Sequence, residues 1–327
     1  MSASSSQPVP RWLHAWAVLT AVVAAAAVTM GAVVTTFRVG MADPVWPTYP
    51  WHLLLVSWDE PSPGYIIEHT HRLAAYGAGL CVIVLAVGLW FAGPRRLALV
   101  ALGCVVAQGL LGGARVLLNA PAGPELAAVH GVCAQLVFGL LVCLAVMTAP
   151  GRIEDFQNPK YARRCRRTAL VLAGLVVLQL VWGAAVRHTY SLAAVRLHVL
   201  TAFAVTAGVV WLLRTAWERP AGRRVLGRPL LVMAGLLVLQ VGMGIEALLG
   251  RFGSDLPPDL QPIRVGQAVV RTGHVVVGAL ILASAAVAVV QAYRAAVTLP
   301  AEERLHESAP EGVYTAVPSS RQVRGTA

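Results

Sequence analysis

Residues 66–74 read Ile66-Ile67-Glu68-His69-Thr70-His71-Arg72-Leu73-Ala74, and an apolar run continues from Leu73 to about residue 91. A stretch of that length reads as a helix that spans a membrane. An acid, two imidazoles and a guanidinium therefore stand at the mouth of a span. Ionisable groups at membrane depth are costly, which makes them functional candidates by default. Glu68 and His71 are three residues apart and share one helix face. His69 lies roughly 200° around the helix from His71, so the two imidazoles cannot serve one centre. Glu68 and His71 are the working pair.

The rest of the chain agrees with a membrane setting. Its 327 residues are 57% hydrophobic and 13% charged, and mean hydropathy is +0.68, against a soluble norm of about 25% charged. A net charge of +11 does not imply nucleic acid here, because a polytopic membrane protein gathers Arg and Lys in cytoplasmic loops. Cys81, Cys104, Cys133 and Cys143 fall inside apolar runs and Cys165 in a basic loop. No two stand where an oxidising compartment would pair them.

Runs of about 20 apolar residues predict eight spanning helices, at roughly 13–36, 65–91, 97–118, 126–148, 168–187, 193–215, 229–250 and 267–293. The first is longer than a signal-peptide core and reads as an uncleaved helix. With the N-terminus inside, the cytoplasmic loops hold Arg95 and Arg96, then Arg152, Lys160, Arg163, Arg164, Arg166 and Arg167, then Arg219, Arg223, Arg224 and Arg228. Both termini then face the cytoplasm of a cell-membrane protein. The expected units are an N-terminal segment 1–12, a first four-helix half 13–148, a basic linker 149–167, a second half 168–293 and a disordered polar tail 294–327. The first outer loop carries Trp46, Trp51 and Trp58 among Pro44, Pro47, Pro50, Pro61 and Pro63. It reads either as an ordered lid over a site or as an interfacial aromatic belt.

Two observations point to a four-helix unit repeated twice. Gln108-Gly109-Leu110-Leu111-Gly112 in the third helix matches Gln240-Val241-Gly242-Met243-Gly244 in the seventh, and Gln179-Leu180-Val181-Trp182-Gly183 repeats the spacing in the fifth. Such a repeat relates its halves by an axis along the membrane normal, although small residues and glutamine also favour helix contacts generally. The second observation is stronger. His71, His130, His198 and His274 fall one each in the second, fourth, sixth and eighth helices, all about 8–12 Å inside the outer end.

Four histidines at one depth point to ligation. Zinc would recruit cysteine or carboxylate into a tetrahedral cage. Two pairs, with no acid near the second, suit a metal already held by a macrocycle. Imidazole is a common axial ligand of haem iron, and facing helices hold cofactors between them in bundle cores. Two bis-histidine haem sites near the outer face follow. Arg72, Arg115, Arg187, Arg196, Arg251, Arg264 and Arg271 cluster at outer helix ends, where few are expected. Arg72, Arg196 and Arg271 stand nearest the histidines and are candidate partners of haem propionates, the other reading being snorkelling to headgroups. The halves are unequal. Only the first has an acid, Glu68, beside its histidine; Val195 holds the matching place before His198.

These residues resemble the haem A synthase family. Glu68-His69-Thr70-His71-Arg72 looks like its Glu-x-x-His-Arg signature, and Val129-His130-Gly131, Arg196-Leu197-His198 and Thr272-Gly273-His274 fall on the helices that carry its other histidines. Asp43-Pro44-Val45-Trp46-Pro47 is similar to its Pro-Asp-Trp-Pro outer loop with the order altered. The resemblance covers about residues 13–293. Many members carry a cysteine pair in an outer loop; this sequence has none there.

The resemblance implies an oxidoreductase that converts the methyl group of haem O to the formyl group of haem A. It implies resident haem b on His198 and His274, substrate haem O at His71 and His130, and Glu68 near the reacting methyl, as base or as electrostatic stabiliser. The implied partners are haem O, membrane lipid, haem O synthase and cytochrome oxidase assembly proteins. The alternative is a bis-histidine dihaem b-type electron-transfer cytochrome. It fits less well, because transmembrane electron transfer wants haems near opposite faces. A repeat-built transporter would show paired helix breaks at mid-membrane.

Overall fold

Among the described residues eight helices carry the chain: α1 Arg11–Phe37, α2 Pro63–Ala92, α3 Arg95–Leu117, α4 Asn119–Thr148, α5 Pro159–Thr189, α6 Leu192–Trp217, α7 Pro220–Phe252 and α8 Val265–Arg294. The computed structural model describes residues 9–43, 62–151, 156, 158–189, 191–252 and 260–295. All eight helices are long and apolar enough to cross a membrane. Helices suit that setting because each satisfies its own backbone where no water can. The chain is an all-α, multi-pass membrane protein. The Trp- and Pro-rich part of the first loop, and with it the expected lid, lies outside the described residues, as does the tail.

Helix starts follow capping chemistry. Ser62 accepts a hydrogen bond from the Tyr65 amide at 3.2 Å, with Pro63 opening α2. Ser191 does the same for Ala194 at 3.3 Å, opening α6. The side-chain oxygen takes an amide that has no partner inside the helix. At the far end of α1, Arg38 adopts φ 58°, and Val39 N–H returns to Val34 O at 3.1 Å, so the chain turns sharply. That is a left-handed C-terminal stop.

Two helices start well before their apolar runs. α5 begins at Pro159 and α7 at Pro220, so the basic linker expected at 149–167 is helical from Pro159 onward, through Lys160, Arg163, Arg164, Arg166 and Arg167. Asn158 Oδ1 caps the Tyr161 amide at 3.0 Å, and proline is well suited to the first helical position. Hydropathy marks only the lipid-crossing part, whereas the helix runs on through Arg163–Arg167. There Arg166 donates to Ala292 O at 2.9 Å and Ala295 O at 3.0 Å, satisfying carbonyls at the end of α8. α4 also starts early, at Asn119. It kinks at Ala122 (φ −148°, ψ 26°), just before Pro124, whose ring disfavours a helical conformation upstream.

The helices pack as neighbours in two sets of four. α1 meets α2 and α4, and α3 meets α2 and α4; likewise α5 meets α6 and α8, and α7 meets α6 and α8. The sets join through α4 with α5 and α8, and through α1 with α8. Two apolar cores form, and the one at the first set also takes in Ala279 and Ala283 of α8. One is built on Leu13, Leu85, Leu89, Leu141 and Leu144, the other on Leu172, Leu212, Leu226, Leu230 and Met233. Both cores run from the middle of the helices to the end away from His71, His130, His198 and His274. At the histidine end the buried residues are small or polar, among them Ala32, Thr36, Asp43, Glu68, His69, Arg72, Ala194 and Ala268. Packing density therefore holds one end together and leaves the other lined by chemistry. Val87, Phe91, Phe203 and Val238 point outward and are exposed, as a lipid-facing surface requires.

Candidate functional site

The four histidines each stand within about two and a half turns of where their helix begins, taking α4 from its kink. Each packs its ring on a glycine near the end of the preceding helix. A methyl group added at Gly31, Gly112, Gly183 or Gly244 would stand 3.0, 3.2, 3.0 and 3.1 Å from Cε1 of His71, His130, His198 and His274 respectively. Three of these glycines close the Gln-x-x-x-Gly runs. The fourth, Gly31 on α1, is preceded four residues earlier by Ala27, so the glutamine signal passed over it. Its legible signal was a glycine near the end of an odd-numbered helix, level with the other three.

The rings are also held through nitrogen. His71 Nδ1 lies 3.0 Å from Ala27 O and His198 Nδ1 3.2 Å from Gln179 O. In both, the carbonyl belongs to the residue four before the glycine. A donated Nδ1–H of this kind fixes the tautomer and leaves Nε2 as the coordinating nitrogen. Gln108 Nε2 sits 3.0 Å from His130 Nδ1, and Gln179 Nε2 and Gln240 Nε2 sit 3.3 Å from Nε2 of His198 and His274. His274 Nδ1 is buried without a hydrogen-bond partner among the described residues.

His198 and His274 face one another with ring centres 6.2 Å apart. Two imidazoles on opposite sides of one metal atom, with metal–nitrogen bonds of about 2 Å and about 1.1 Å more to each ring centre, would have centres about 6 Å apart. Among the described residues no three His, Cys, Asp or Glu side chains come together as a metal cage. Pairwise imidazoles between helices thus fit a metal whose remaining ligands arrive with it, as in haem.

Glu68 is buried in a polar cluster. Its Oε1 accepts from Arg72 Nη2 at 2.7 Å, and its Oε2 accepts the Asp43 amide at 2.8 Å. Arg72 also donates to the Asp43 carbonyl and lies 3.5 Å from Asp43 Oδ2. His69 Nδ1 meets the same Oδ2 at 3.0 Å, and its ring stacks on Tyr65 with centres 5.3 Å apart. His69, on the far side of α2 from His71, thus belongs to the Glu68–Arg72–Asp43 cluster, which fastens the start of α2 to the chain that follows α1. The residue that sequence reasoning undervalued is Asp43, read there only as part of a loop motif.

The arginines divide. Arg72 is engaged with Glu68 and Asp43, and Arg196 is exposed. Arg271 is half-buried on α8. Arg187 crosses from α5 to α1, donating to Ala32 O at 2.9 Å and Thr36 Oγ1 at 2.8 Å, and Thr36 Oγ1 lies 3.1 Å from Thr272 Oγ1 of α8. Arg115 Nε is buried without a hydrogen-bond partner among the described residues. The second set does carry an acid at this level, contrary to the sequence reading. Glu246 stands two residues past Gly244 on α7, but its side chain is exposed, so the asymmetry in buried carboxylate stands.

Comparison with known proteins converges on one family. The COX15-CtaA model, described as a cytochrome oxidase assembly protein, matches residues 51–197, a range that holds Glu68, His71 and His130. A heme A synthase of Listeria monocytogenes serotype 4a (strain HCC23) is 28% identical over 235 residues, covering 63% of this chain and 75% of the relative. The same name, identity and coverage apply to a relative in Listeria innocua serovar 6a. A heme A synthase of Listeria welshimeri serovar 6b is 29% identical over 185 residues, covering 54% of this chain and 59% of its own. With the Glu68–His71–Arg72 signature on α2 and a histidine on each of α4, α6 and α8, this chain is similar to the haem A synthase (COX15-CtaA) family of cytochrome oxidase assembly proteins.

Proposed function

We propose that this protein is a haem A synthase of the cell membrane, an oxidoreductase that oxidises the methyl group of haem O to the formyl group of haem A. Resident haem b is held by His198 and His274, and substrate haem O is received between His71 and His130. The observation that carries this reading is the fourfold histidine arrangement, one ring per even-numbered helix, each against a glycine of the helix before it. The 6.2 Å between the His198 and His274 ring centres is the spacing two axial ligands need. Bound haem b supplies one-electron redox chemistry. Arg271 stands three residues before His274 and Arg187 near the junction of the two sets; both are placed to offer charge to haem carboxylates. The two four-helix sets are read as repeats, one specialised for substrate and one for the resident cofactor. Both termini are assigned to the cytoplasm, which puts Arg95, Arg96, Arg163–Arg167 and Arg219–Arg228 inside and the histidine end outside.

Glu68 acts on the first site. Both of its oxygens accept hydrogen bonds, which hold the carboxylate in one place, either to stabilise positive charge developing on the substrate or to take a proton on a remaining lone pair. The burial of Glu68 and Arg72 excludes water that would screen that charge.

Haem extraction from the purified protein tests this function. Protein from cells that make haem O should yield haem b with some haem O or haem A. His198→Leu and His274→Leu should lose haem b, whereas His71→Leu and His130→Leu should keep it and fail to make haem A. Two equivalents of haem b, with no haem O or A, would identify an electron-transfer cytochrome instead.

A further inference from the structure

We propose that Gly31, Gly112, Gly183 and Gly244 are positioning residues for the four candidate haem ligands, forming seats that set where each imidazole stands. The inference rests on the haem-ligand reading and goes beyond it, since it concerns residues that touch the ligand rings and are not ligands themselves. Four separate helix pairs repeat one contact: the glycine's missing Cβ faces ring atom Cε1 of the histidine, at 3.0–3.2 Å. Carbon–carbon contact is ordinarily about 3.5–4.0 Å. Each seat therefore admits a hydrogen and no more.

The contact reaches Cε1, the carbon between the two nitrogens, and so fixes both ring position and ring direction. Four residues before the glycine, one helical turn, stands the carbonyl of Ala27 for His71 and of Gln179 for His198. Glycine and carbonyl together form a two-point mount: one surface stops the ring at Cε1, and the other holds Nδ1. Alanine at the seat would push the ring several tenths of an ångström off its carbonyl. Helix propensity alone would favour alanine at these helical positions, so glycine there is explained by the ring and not by the helix. Other glycines on the same helices lack this constraint. A methyl group at Gly174 on α5, or at Gly235 or Gly242 on α7, meets nothing within 4 Å among the described residues.

The test is a set of glycine-to-alanine variants in the full-length protein. Gly183→Ala and Gly244→Ala should weaken haem b retention by about tenfold or more, the effect usual for residues that orient a metal ligand, and shift the low-spin spectrum of what remains. Gly31→Ala and Gly112→Ala should keep the haem b spectrum and lower haem A production. Gly174→Ala and Gly242→Ala should match the wild type in both. Misfolding is separated from mispositioning by a double-mutant cycle. Gly183→Ala should lower the melting temperature of the wild-type protein but have no further effect in a His198→Ala background, where the ring it strikes is gone. Wild-type haem b content and spectra in both Gly183→Ala and Gly244→Ala, with haem b still lost in His198→Leu, would overturn the seats and leave the ligands standing. Retention of haem b in His198→Leu and His274→Leu would remove the ligand reading itself. An equal loss of melting temperature in both backgrounds of the cycle would also overturn the seats.

Discussion

Glu68→Gln is the most informative single substitution, because it tests the buried cluster and the chemistry at once. In the native protein Oε1 accepts from Arg72 at 2.7 Å and Oε2 accepts the Asp43 amide at 2.8 Å. Glutamine has one acceptor oxygen, and its NH2 can only donate. One of those two donors must then face another donor or move away. Removing one partner of a buried ion pair costs about 3–5 kcal/mol. Here the residual oxygen, and Asp43 Oδ2 at 3.5 Å from Arg72, reduce that cost. An estimate of about 2–3 kcal/mol follows from the usual worth of a hydrogen bond to a charged group. At about 1.5 °C per kcal/mol for a chain of this size, the melting temperature should fall by roughly 3–5 °C. Haem b should remain, because His198 and His274 stand on α6 and α8, away from the cluster. Haem A should fall by about 10²-fold or more if the carboxylate acts in the reaction. The assay pairs thermal melting of the purified protein in detergent with extraction of cellular pigments. Asp43→Asn is the control: it perturbs the same cluster but leaves the Glu68 charge, so it should lower the melting temperature while sparing most haem A. Unchanged melting in Glu68→Gln would refute the energetic role of the Arg72 pair. Near-normal haem A would refute any role of the carboxylate in chemistry.

Three further outcomes are expected. A reporter active only outside the cytoplasm should be silent at either terminus and active when inserted beside Ser62; activity at the C-terminus would overturn the assigned orientation. Arg187→Leu removes the donors to Ala32 O and Thr36 Oγ1 that join α5 to α1, and should lower stability by about 1.5–3 kcal/mol, read as a drop in melting temperature with the first-set variants' haem A phenotype unaffected in kind. Leu212→Ala, at a fully buried position of the second core, should cost about 2–5 kcal/mol and weaken haem b retention only in step with overall melting, since the cavity lies at the end away from the histidines.

Much of the architecture was legible before any contact was known. In lipid, the backbone must satisfy itself within each segment, so runs such as 73–91 specify helices without reference to their neighbours. Their number and order came directly from hydropathy. Their limits did not, because Pro159 and Pro220 open helices through basic stretches that never enter the apolar layer. The histidines were legible too. Membrane depth follows from distance along a helix, and four imidazoles at one depth form a pattern in one dimension.

What the sequence by itself determined, then, is whatever depends on position along a helix: the eight spans, the depth of His71, His130, His198 and His274, and the i,i+4 spacing that lets Glu68 meet Arg72. The tertiary structure decided whatever depends on which helix faces which. It joined Asp43 to Glu68, Arg72 and His69 across more than twenty residues, turned Arg187 toward α1, and set each glycine under an imidazole. It also supplied Gly31, which no glutamine announced. The physical reason is that periodicity fixes the faces of one helix, whereas helix rotation and crossing are set by packing at both cores together, and a contact between α1 and α2 exists only once that packing is complete.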